Sequence, residues 1–198
     1  TIPHSYLYRH VDAAAVQAKV KAIAAAHDIM LSVTDWLIAC VARALRAHPR
    51  VNAGWAENGL VYHDEINIGF AYDLSDGSLV VPVIRNVDRL DPTGVAGAAR
   101  ALQKRAIRGA LTAADFADGH CTVTSMIGAG VHQVAPIVYP GQTAIVGVGD
   151  PWGLGAATLY TVSVAFDHRV VSGAQAGRFL AQLCCELVEG TEGDDHAG

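Results

Sequence analysis

The stretch Ser163-Val-Ala-Phe-Asp167-His168-Arg169-Val-Val-Ser172-Gly173 decides how the rest of the chain is read. An apolar strand pattern runs into Asp167-His168-Arg169, and a helical pattern begins soon after Gly173. A histidine at the end of a core strand and beside a turn is both rigid and reachable. Imidazole titrates near neutrality, so such a residue suits proton transfer. It can equally be satisfied by backbone groups at a strand end.

A second informative stretch precedes it, Gly119-His-Cys121-Thr122-Val-Thr124-Ser125-Met-Ile-Gly128-Ala129-Gly130. Strand side chains alternate, so Thr122 and Thr124 share one face while Cys121 and Ser125 take the other. The glycines invite comparison with a phosphate-binding loop. No Gly-Lys-Ser/Thr follows them and no helix starts there, which excludes that motif.

Outward from these two segments the chain alternates strand and helix patterns. Strands are expected over 1–11, 60–63, 66–72, 79–85, 121–125, 142–148 and 159–166, with a turn at Ser75-Asp76-Gly77. Helices are expected over 13–27, capped by Asp12, then 36–47, 93–109 and 174–188. The second of these is so apolar that it should be buried. The reading is one α/β domain over residues 1–188, with a frayed Gly- and acid-rich tail over 189–198.

Composition narrows the class. Of the 198 residues 52% are hydrophobic and 17% charged, enough apolar material for a sizeable core. The net charge of −5 lacks the basic footprint of a nucleic-acid binder. No run of about eighteen apolar residues indicates a membrane span. The four cysteines, Cys40, Cys121, Cys184 and Cys185, form no CxxC pair. They read as buried free thiols of a reducing compartment, cytoplasm or organelle matrix, rather than as disulfides or metal ligands, and no metal is expected.

Five pieces in order then resemble the catalytic domain of the dihydrolipoamide acyltransferases, the core of the 2-oxo acid dehydrogenase complexes. They are Thr1-Ile-Pro-His4, Gly77-Ser-Leu-Val-Val-Pro-Val-Ile-Arg85-Asn86, Leu111-Thr-Ala-Ala-Asp-Phe116, the hydroxyl strand with its glycine turn, and the DHRVVSG segment. The resemblance covers nearly the whole chain. It implies the chloramphenicol-acetyltransferase-like fold, a two-layer mixed α/β arrangement with a mixed sheet flanked by helices.

The resemblance also implies roles. His168 matches the family's catalytic base and Thr124 its oxyanion-stabilising hydroxyl. Asp167, Arg169 and Gly173 match motif positions that look structural, and Ser172 stands where the family often has an acid. Coenzyme A would be the co-substrate, with Arg85, Arg89 and Lys104 candidates for its phosphates by charge only. The lipoyl group would arrive on a separate domain not contained in these residues. The expected assembly is a homotrimer within a larger core, with His168 and Thr124 meeting across a subunit interface. Decarboxylase and dihydrolipoamide dehydrogenase components would be its partners. Small residues near the glycine turn, Ala129, Val131 and Ala135, lean toward a branched acyl chain, with acetyl next. Two alternatives stand beside this reading: a free acetyltransferase acting on a small hydroxylated molecule, and a silent assembly scaffold.

Overall fold

Asp12 ends the first strand and begins the first helix. Its carboxylate accepts a hydrogen bond from the Ala15 N–H at 2.8 Å, satisfying one of the donors that a helix start leaves unpaired. The computed structural model in which this is seen describes residues 2–56 and 59–190. The expected tail from residue 191 onward lies outside the described residues, while Glu189 still belongs to the last helix.

The elements run in the order β1 (His4–Asp12), α1 (Ala13–His27), α2 (Val33–Ala47), β2 (Ala53–Ala56), β3 (Gly59–Tyr62), β4 (Ile68–Phe70), β5 (Tyr72–Asp73), β6 (Leu79–Val80), β7 (Val83–Ile84), α3 (Pro92–Ile107), β8 (Cys121–Ser125), β9 (Ala144–Val148), β10 (Trp152–Leu154), β11 (Ala157–Asp167) and α4 (Gly173–Glu189). The main sheet is ordered β1-β11-β9-β8-β4-β7, with β10 paired to the start of β11. The β4–β8 and β8–β9 pairs are parallel and the others antiparallel, so the sheet is mixed.

One face of the sheet carries the helices. Cys121 and Val123 of β8, Ala144, Val146 and Val148 of β9, and Val162, Val164 and Phe166 of β11 join the core formed with α1 to α4. On the opposite face Ile145 and Ala165 gather with Val138, Ile2 and Tyr6 in a smaller cluster. The helices thus form one layer and the sheet the other, a two-layer fold. Helix α2 is buried along most of its length, as its composition predicts, and Trp36 donates to the Leu187 carbonyl of α4 at 3.0 Å.

Three expectations change. Helix α2 starts at Val33 rather than at residue 36, because Ser32 and Asp35 form a reciprocal capping box. The strand expected over 66–72 divides into β4 and β5, which lie in different sheets, and that expected over 79–85 divides into β6, pairing β5, and β7, pairing β4. Pro82 lies between them and offers no N–H to a ladder, though its carbonyl accepts from Phe70. The short strands β2 and β10 had no counterpart in the sequence reading.

Candidate active site

His168 occupies the first position beyond β11, on a tight turn braced on both sides. Its own N–H donates to the Pro3 carbonyl at 3.1 Å, and the Asp167 N–H donates to the Thr143 carbonyl at 2.9 Å. The Asp167 carbonyl then accepts from both Val170 and Val171, closing the turn toward α4. The His168 side chain is exposed, with its ring tilted against Phe166 at 5.6 Å between centroids.

Its two neighbours do structural work. Asp167 is buried, 1% exposed, and its carboxylate accepts from the Arg169 backbone N–H, Nε and Nη2 at 2.5–3.1 Å. Burial alone would push the Asp167 carboxyl up, but the Arg169 hydrogen bonds and charge outweigh it and hold the group below the ordinary carboxylate range. The Arg169 guanidinium also lies over the Trp55 ring at 5.1 Å, tying the β2–β3 hairpin to this turn. Ser172 is the N-cap of α4: its hydroxyl accepts from the Gln175 N–H, and the Gln175 side chain accepts from the Ser172 N–H. Gly173 opens α4, and a Cβ built there would meet nothing within 4 Å in this chain.

Thr124 stands near the other end of the sheet. It shares a face with Thr122, whose hydroxyl donates to Gln142 Oε1 at 2.8 Å, and it is half-buried. This is the face away from the helices. Cys121 points into the core, where burial pushes its thiol up to about 12, so it offers no nucleophile. Cys40 and Cys184 are buried as expected, but Cys185 is exposed, on the outer side of α4.

The sheet register separates the two candidate catalytic residues. Thr124 is level with Gly147 of β9, and Gly147 with Ser163 of β11. His168 lies five residues beyond Ser163, so the two are offset by roughly 16 Å along the strands and about 10 Å across them at ordinary strand dimensions. One chain does not bring them together.

Arg85 is engaged within the protein. It pairs with Asp118 at 3.2 Å and donates to the Ala114 and Ala117 carbonyls, fastening the end of β7 to the segment before β8. Arg89, in a 3-10 turn over Val87–Arg89, and Lys104, in the last turn of α3, are exposed. No hydrogen bond joins the three among the described residues. Ala129, Val131 and Ala135 are exposed. Two participants escaped the sequence reading. Trp55 sits far from the DHR triplet in sequence, and Asp150, which binds the glycine turn, carries no motif.

The overall arrangement is that of the chloramphenicol acetyltransferase fold. The chain superposes on a chloramphenicol acetyltransferase with a TM-score of 0.64 at 13% identity, covering 95% of this chain and 89% of that one. Within that class the assignment is narrower: residues 1–192 match the family described as 2-oxoacid dehydrogenases acyltransferase (catalytic domain), and the chain belongs to it.

Relatives include the dihydrolipoyllysine-residue acetyltransferase components of the pyruvate dehydrogenase complexes of Rickettsia bellii and Haemophilus influenzae. They are 33% and 35% identical over 76% and 78% of this chain. The matches span only 38% and 29% of those two proteins. The dihydrolipoamide acetyltransferase of Azotobacter vinelandii superposes with a TM-score of 0.88 at 30% identity, covering 96% of this chain and 83% of that one. That structure was solved to study the role of a serine, a histidine and an asparagine in catalysis. The cubic core of a pyruvate dehydrogenase complex superposes with a TM-score of 0.86, again at 30% identity and covering 96% and 83%.

Proposed function

We propose that this domain transfers an acetyl group between a dihydrolipoyl thiol and coenzyme A, as the core acyltransferase of a 2-oxo acid dehydrogenase complex. The observation that carries the reading is the exposed His168, held on a braced turn in a chain of this family. A free thiol has a pKa of about 8.5, so little thiolate exists at neutral pH. Neutral imidazole takes the proton as sulfur attacks the thioester carbonyl. The carbonyl oxygen becomes an oxyanion, and the Thr124 hydroxyl donates to it. The tetrahedral intermediate then expels the other thiol, which recovers the proton from the imidazolium.

The acyl group follows the relatives, which are named for acetyl transfer. The relatives give no support to a branched chain, and the small residues that suggest one, Ala129, Val131 and Ala135, are exposed in this chain. With His168 and Thr124 acting together, their offset within one chain calls for two chains to build one site. It therefore favours a trimer, and the superposition on a cubic core favours larger assembly. The decarboxylase, the dehydrogenase and a lipoyl domain are the partners such a core would meet, in a cytoplasmic or matrix compartment. Among the described residues no helix is long and apolar enough to cross a membrane. Exposed Arg89 and Lys104 fit the coenzyme phosphates better than Arg85, whose donors have protein partners.

The test is acetyl transfer from acetyl-coenzyme A to dihydrolipoamide by the full chain and by His168→Ala. Loss of the base lowers kcat by about 100-fold to 10,000-fold. A variant that keeps the rate, in a protein of unchanged size, sinks the assignment.

A further inference from the structure

The glycine turn after β8 is stitched to the end of β9 by one carboxylate. Asp150 Oδ1 accepts from the Gly128 N–H and Oδ2 from the Gly130 N–H, both at 2.6 Å. The Asp150 N–H donates in return to the Val131 carbonyl at 2.6 Å, and the Met126 N–H donates to the Val148 carbonyl at 2.8 Å. Gly128 and Gly130 hold φ of 94° and 74°, angles that other residues rarely adopt. The loop leaving the glycine turn approaches the segment after β9 so closely that a Cβ on Gly149 would stand 2.5 Å from the Val131 and His132 carbonyls. The Gly128 and Gly130 donors hold the Asp150 carboxyl below the ordinary range.

We infer that Asp150 is a positioning residue for Thr124, acting through the glycine turn that follows that strand end. Thr124 is the second-last residue of β8, and three residues separate it from Gly128. An oxyanion donor stabilises charge only if it is already aimed when the charge develops. The carboxylate accepts from two turn amides and fixes where β8 ends. The same bonds leave those glycine amides engaged within the chain rather than free to cradle a phosphate.

The inference rests on the oxyanion role proposed for Thr124, and a double-mutant cycle separates the two. Acetyl transfer to dihydrolipoamide is measured for the full chain and for Thr124→Val, Asp150→Ala and the double variant, each confirmed as assembled by light scattering. Thr124→Val lowers kcat on the order of 100-fold. Asp150→Ala lowers kcat about tenfold, with the KM for each thiol within roughly twofold. In the Thr124→Val background the same change costs nothing further, because the donor it aims is gone. If Thr124→Val loses no rate, the oxyanion role fails and the positioning role with it. If Thr124→Val loses rate but Asp150→Ala does not, or loses equally in both backgrounds, only the positioning role is overturned. Should Asp150→Ala fail to fold, Asp150→Asn retains one acceptor, and the same cycle is read on its smaller loss.

Discussion

Asp167, His168 and Arg169 are adjacent in sequence and differ in environment. Asp167 is enclosed and neutralised by Arg169, whereas His168 faces outward, so the triplet divides into a brace and a reactive group. Two predictions belong here. Asp167 has a depressed carboxyl, so its contribution to stability is full above the unfolded value of about 3.9 and is lost as pH falls through the folded value. Asp167→Asn therefore lowers the melting temperature at pH 7 and flattens its decline in acid; calorimetry from about pH 3 to about pH 7 checks both. The thiols supply the other. In native protein a maleimide labels Cys185, while Cys40, Cys121 and Cys184 react only after unfolding, as mass spectrometry would record. Labelling of Cys121 in the folded enzyme would contradict its place in the core.

At the scale of elements, Ser172 shows what sequence could and could not say. Against the family's usual acid it stands out as a departure. In the structure it is the N-cap of α4, a position that serine, aspartate and asparagine all fill well. Ser172→Ala should cost about 1 kcal/mol, while Ser172→Asp and Ser172→Asn stay near wild type in urea denaturation. A loss from Ser172→Asp as large as that from Ser172→Ala would count against the capping role.

Helices α1 and α4 were legible because Asp12 and the Phe179-Leu180-Leu183-Leu187 stripe mark them locally. Strands β2 and β10, four and three residues long, are too short to show a period, and only their partners make them strands. His168 and Thr124 were legible as motif positions. Trp55 and Asp150 were not, because cation–π contact and turn stitching depend on distant chain segments meeting.

For the whole molecule, the register predicts complementation. His168→Ala and Thr124→Val chains each keep at most about a hundredth of the wild-type rate alone. Mixed in equal amounts and refolded as trimers, one interface in about four pairs an intact histidine with an intact threonine. Activity should recover to roughly a quarter of wild type. No recovery from trimers shown by native mass spectrometry to be mixed would place the site within one chain.

With the roles proposed for His168 and Thr124, the turn that carries one and the strand end that carries the other would give each chain two half-sites. On this reading a newly made polypeptide is inert toward thioesters until it finds its neighbours. Specific activity would then follow the law of mass action, vanishing on dilution below the dissociation constant of the trimer. Acetyl-coenzyme A would in that way be spared turnover by chains not yet built into a complex.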